Sequence, residues 1–134
     1  MCERVAALLG KARGLLLPSG TMCNLIAVLV HCRPGDEILA ADVSHLMSSE
    51  SGGAGLSGAL IRVLSSQRGV FTAEQVAAAV RPLQINAPRS RLLHVEQTVM
   101  RGGAARSGRL RRWKKSRKPP KRPVCCCTWM VRGC

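Results

Sequence analysis

All seven acidic residues of this 134-residue chain lie at or before Glu96, whereas twelve of its 21 lysines and arginines crowd into residues 101–134. That partition limits where a fold can form. Residues 1–100 carry nine basic and seven acidic side chains, a net charge of +2, and the last 34 residues carry +12. The basic run has no apolar period and repels itself, so residues 99–134 are expected to be a disordered basic, Cys-containing tail. The pI near 11 belongs to that tail and does not make the whole chain a nucleic-acid binder. At this length the remainder is one small domain at most.

With Phe71, Trp113 and Trp129 the only aromatic residues, the core must be built from Leu, Val, Ile and Ala. Seven cysteines (2, 23, 32, 125, 126, 127 and 134) form no C-x-x-C pair, which indicates neither a zinc site nor a disulfide framework. Their odd number, without a secretory signal, points to reduced thiols and a cytoplasmic location. The longest wholly apolar run, Leu25 to Val30, is far too short to span a bilayer.

Val5, Leu8 and Leu9 recur at helical spacing within residues 3–12, where Gly14 can end a helix. Leu15–Leu17 reads as a strand, Ser19-Gly20-Thr21 as a turn, and Met22 to His31 as a buried helix stopping before Pro34-Gly35-Asp36. Strands are predicted at 37–40, 60–64 and 91–96, with a loop and short helix over 43–50. Thr72 followed by Gln75 matches a capping box that opens a helix ending before Pro82. This order is that of an α/β layer with crossover helices, and Glu96 falls at the carboxyl edge of a strand, where ligands gather in such sheets.

The Ser19-Gly20-Thr21 turn has the composition of a phosphate cradle. Helix N-termini offer unpaired N–H groups and partial positive charge, a small residue permits close approach, and hydroxyls add donors. An ordinary N-cap uses the same residue types, and the turn alone leaves both readings open.

Pro18-Ser19-Gly20-Thr21-Met22-x-Asn24-Leu25-Ile26-Ala27-Val28, then His31-x-Arg33-Pro34-Gly35-Asp36-Glu37, then His45-x4-Glu50-x-Gly52-Gly53 and Glu96-x-Thr98 together resemble threonine aldolase. These are lyases that use pyridoxal 5'-phosphate to cleave a β-hydroxy-α-amino acid such as L-threonine or L-allo-threonine to glycine and an aldehyde. The resemblance covers residues 3 to about 98, with the domain taken as residues 1–98. It implies a partial cofactor-binding large domain of the aspartate-aminotransferase-like fold (fold type I), together with the family's amino-acid substrate, homo-oligomeric state and place in threonine catabolism and glycine formation. Position by position, Ser19, Gly20 and Thr21 resemble the phosphate-binding turn, and His45 the histidine stacked on the pyridine ring. Glu50 resembles the acid beside that histidine, and Glu96 and Thr98 the start of the acidic-Asn-Thr-His-Asn signature.

The chain also departs from that pattern. Val99 stands where the signature has a histidine, and Ser49 where an aromatic residue precedes the acid. Family members hold the cofactor as a Schiff base on a lysine and pair the ring nitrogen with a carboxylate, both well downstream of the signature. Nothing after Glu96 is acidic here, and Lys114, Lys115, Lys118 and Lys121 sit in a like-charged run without family context. The expectation is therefore a truncated relative, inactive alone, with His45 and Glu50 as remnants of a catalytic set. The alternative is a basic interaction protein whose residues 101–122 bind a nucleic acid, an importin or other polyanions through charge density.

Overall fold

The computed structural model describes residues 1–8, 10–50, 52–97, 99 and 126–129. In chain order the elements are α1 (Cys2–Leu8), α2 (Gly20–His31), β1 (Asp36–Ala41), α3 (His45–Ser48), a 3-10 turn (Gly53–Ser57), β2 (Leu60–Leu64), α4 (Ala73–Ala79), β3 (Arg89–Gln97) and β4 (Cys126–Trp129). The sheet is parallel with order β2-β1-β3-β4. The α/β class and the strands expected at 37–40, 60–64 and 91–96 are present.

β1 is the centre of the sheet. All six of its residues are buried, and they split between two layers by the two-residue alternation of a strand. Ile38 points to one face with Val28 and Cys32 at α2, Leu46 on α3, Ala54, Ala59 and Leu92. Leu39 and Ala41 point to the other with Leu64, Phe71, Val76 on α4 and Leu93. Fully burying a side chain such as Ile38, Leu39 or Leu46 contributes roughly 1.5–3 kcal/mol. Pairing of β1 with β3 shifts between Glu37 and Ile38, which leaves Arg91 as a bulged residue. Its Nε donates to the His31 carbonyl at 3.0 Å, tying β3 to the end of α2.

The amino ends of the strands are held by ion pairs. Asp36 accepts from Arg89 Nε at 3.0 Å and from the Arg33 amide at 2.8 Å. Glu37 accepts from Arg81 Nε at 2.9 Å and from Ser90 Oγ at 3.0 Å, with Arg62 at 3.8 Å. Both carboxylates are buried, so these partners offset their desolvation.

Two local expectations are corrected. α1 ends at Leu8 and buries Ala6, while Val5 and Leu8 face solvent. Gly14 does not terminate it. The amides of Gly10 and Lys11 instead bond to the carbonyls of Ala7 and Ala6, closing the helix in a Schellman arrangement. Gly14 serves as a contact for α1, since a Cβ there would lie 2.8 Å from the Cys2 carbonyl oxygen. Leu15–Leu17 is not a strand. No ladder partner runs beside it among the described residues, and Leu15 and Leu16 are exposed. Within the expected tail, Cys126–Trp129 forms a strand parallel to β3; apart from these residues and Val99, residues 99–134 lie outside those described.

Candidate active site

α2 begins where the turn residues predict. Ser19 is its N-cap, in extended backbone conformation, and its Oγ accepts the Met22 amide at 3.1 Å. The Cys23 amide reaches the Ser19 carbonyl at 3.2 Å. The amides of Gly20 and Thr21 have no partner among the described residues. Ser19 thus satisfies one N–H and leaves two without a partner among the described residues at the positive end of a twelve-residue helix.

Asn24 lies about one turn, ~6 Å, further along α2. Its Nδ2 donates to Glu50 Oε1 at 2.5 Å, and His45 Nδ1 lies 3.0 Å from the same oxygen. Asn24 and Glu50 are buried, whereas the His45 side chain keeps 22% of its surface exposed. An ionised Glu50 can only accept, so the shared oxygen calls for a proton on His45 Nδ1. The His45 ring is thus fixed in tautomer and orientation with part of its surface open.

Glu96, at the carboxyl end of β3, reaches the same place from below. Its Oε1 accepts the His45 amide, and the Leu46 amide also bonds to this carboxylate. Burial pushes the Glu96 carboxyl above the ordinary carboxylate range, while the two amides and His45 oppose that shift. Next to it, His94 is buried with neither ring nitrogen hydrogen-bonded, its Nδ1 3.9 Å from Glu96 Oε1. Burial lowers the His94 pKa to about 4, so the ring is neutral near pH 7. Asn24 Oδ1 and Ser44 Oγ are likewise buried without partners.

The structure brings together His45, Glu50 and Glu96, with the Ser19-Gly20-Thr21 turn one helical turn away from their shared contact. Thr98 lies outside the described residues, as do Lys114, Lys115, Lys118, Lys121 and the polyanion segment 101–122. Val99 is buried, with Gly69 and Val43 packed beside it. Sequence reasoning assigned no role to Asn24 or His94. The available signal was a polar residue flanked by apolar ones, Asn24 between Cys23 and Leu25 and His94 between Leu93 and Val95.

Among the described residues there is no cluster of three or more His, Cys, Asp or Glu side chains suited to a metal ion. Nor is there a helix long and apolar enough to cross a membrane. Cys2, Cys23 and Cys32 are free thiols.

Comparison with known proteins gives the family. The chain is 34% identical over 98 residues to a low specificity L-threonine aldolase of Escherichia coli strain K12, covering 72% of this chain and 29% of that protein. It is 35% identical over 106 residues to low-specificity L-threonine aldolase 1 of Arabidopsis thaliana, covering 75% and 30%. The chain thus spans less than a third of the length of these relatives. A solved Leishmania major threonine aldolase superposes with a TM-score of 0.54 at 20% identity over 60% of this chain and 25% of that one, which supports the shared fold. The family model described as beta-eliminating lyase matches residues 1–117, so the chain belongs to the beta-eliminating lyase family and is of threonine aldolase type.

Proposed function

We propose that these 134 residues form a partial pyridoxal 5'-phosphate site of a lyase acting on L-threonine or L-allo-threonine, and that alone they hold the cofactor without completing its chemistry. The observation that carries this reading is the pair of open amides at Gly20 and Thr21, one turn from the Asn24–Glu50–His45 chain. The amides and helix dipole would receive the phosphate, with Ser19 at the rim. The His45 ring, held by Glu50, would lie against the pyridine face. Bound there, the cofactor supplies an electron sink that stabilises negative charge at the substrate α-carbon.

The chain's own residues bind and orient in this scheme. Glu50 keeps the His45 proton on Nδ1, and the apolar layer around Val28, Leu46 and Leu92 floors the site. Among the described residues none supplies a covalent anchor, and none beyond Glu96 supplies an acid for the ring nitrogen. Among the described residues Lys11 is the one lysine, and it is exposed; no acidic residue follows Glu96. Val99 brings no imidazole where the family signature has one. In the cytoplasm, with its thiols reduced, the chain would approach amino-acid turnover only as part of a larger assembly, in keeping with the family's homo-oligomers.

The test is titration of the purified chain with pyridoxal 5'-phosphate, followed by borohydride reduction and an acetaldehyde assay with L-threonine. The expected result is saturable binding competed by inorganic phosphate, with no reducible attachment to lysine and no turnover. Lysine attachment with acetaldehyde release would overturn the reading, and so would binding indifferent to phosphate.

A further inference from the structure

We propose that Glu96 acts through His45, as the residue that fixes its backbone, and not by touching the cofactor. This deepens the proposed cofactor reading and rests on it only for its consequence for binding. The helix that carries His45 is a single turn, and Ser44, at its N-cap position, makes no side-chain capping bond. Ser44 Oγ is instead buried without a partner. The first amides of α3 go to the Glu96 carboxylate, fifty-one residues downstream on β3. A helix N-terminus has orphan N–H groups that a carboxylate satisfies well, and here the carboxylate comes from another element.

His45 is consequently pinned at two ends by two different acids. Glu50 holds the ring through Nδ1, and Glu50 is itself held by Asn24; Glu96 holds the peptide through the amide. The groups facing Glu96 are His45 and Leu46 of α3, Glu50 of the following loop and His94 of its own strand. His94 is neutral and 3.9 Å away, so it does not draw the carboxylate off the α3 amides. The Glu96 side chain keeps only 9% of its surface exposed and is turned to the α3 amides, so it presents little to a ligand; its effect on the pyridine ring is the placement of the imidazole.

The experiment compares the full chain with its Glu96→Gln and Glu96→Ala variants by amide NMR and by ligand titration. In the unsubstituted chain the His45 and Leu46 amide protons should shift together as Glu96 titrates. In Glu96→Gln, which keeps an acceptor oxygen, the fold should persist and that pH dependence should vanish. In Glu96→Ala both amides should move upfield, and affinity for pyridoxal 5'-phosphate should fall about tenfold, the weight of one charge-assisted hydrogen bond. Affinity for inorganic phosphate should stay unchanged, because Gly20 and Thr21 are untouched. The inference is overturned if the two amides titrate in Glu96→Gln as in the parent, or if phosphate and cofactor weaken equally in Glu96→Ala. Should the parent chain bind the cofactor no better than phosphate, the cofactor reading fails, while the amide titration still decides the role of Glu96. If Glu96→Ala does not fold, Glu96→Gln alone carries the decision.

Discussion

Replacing His94 with leucine is expected to stabilise the chain, and to stabilise it more at pH 5 than at pH 8. His94 is buried in the layer that holds Ile38 and Leu92, and both of its ring nitrogens lack hydrogen-bond partners. Leaving a buried polar group unsatisfied costs about 1–3 kcal/mol, a cost that leucine of similar volume does not incur. The pH term adds to this. Burial lowers the His94 pKa from 6.5 to about 4, with Glu50 opposing the shift and His45 reinforcing it. The unfolded chain then binds a proton near pH 6.5 that the folded chain refuses until about pH 4. Across that window the unfolded state carries more protons, so folding stability falls as pH falls, by at most about 1.4 kcal/mol per pH unit. Integrated from pH 8 to pH 5, the loss from this one residue is about 2 kcal/mol. Glu96 runs the other way, since its raised pKa favours the folded state as pH falls toward the carboxylate range. Subtracting the variant from the parent removes that common contribution. Urea unfolding followed by circular dichroism at pH 5, 6, 7 and 8 measures the difference. A stability gap between the two proteins that stays constant from pH 8 to pH 5 would refute the reasoning.

Two further substitutions probe the frame around the site. Thr72→Ala removes a complete capping box, in which Thr72 Oγ1 accepts the Gln75 amide at 3.2 Å and Gln75 Oε1 accepts the Thr72 amide at 2.7 Å; a loss of about 1 kcal/mol is expected in the same urea assay. Gly69→Ala places a methyl group against the Val99 side chain and 3.0 Å from Val43 Cγ2, at a φ of +79°, so a loss of about 1–3 kcal/mol is expected, and a neutral result would show that Val99 does not pack there.

The local code read most clearly where one periodicity acted alone. β1 and β2 follow from short apolar runs bounded by Gly, Pro and Asp, and α4 from a capping box whose two hydrogen bonds both form. Leu15–Leu17 misled because an apolar triplet specifies no ladder partner; pairing is a property of the sheet and not of the segment. α1 misled for a related reason. Its leucines have helical spacing, but the surface that meets the rest of the chain is small, and Ala6 packed beside Gly14 permits a close approach that Val5 or Leu8 would not. Within the site, His45, Glu50 and Glu96 were legible by motif. The shared oxygen of Glu50, with Asn24 on one side and His45 on the other, depends on a separation of 26 residues that no local pattern records.

The acids divide by position along the strands, and that division separates architecture from chemistry. At the amino ends, Asp36 and Glu37 are enclosed by Arg89, Arg81 and Arg62, full positive charges that neutralise them in place. At the carboxyl ends, Glu50 and Glu96 meet no arginine among the described residues in their hydrogen bonds; they accept from an amide side chain, an imidazole and backbone N–H groups. A carboxylate locked to guanidinium holds a sheet together but has little freedom to direct a neighbouring proton. One held by neutral donors keeps its charge available to set a tautomer, as Glu50 does for His45. The same sheet therefore carries a clamp at one end and an orienting network at the other. Exchanging the kinds of partner would undo both, leaving unpaired charge beneath Ile38 and an imidazole no longer committed to Nδ1.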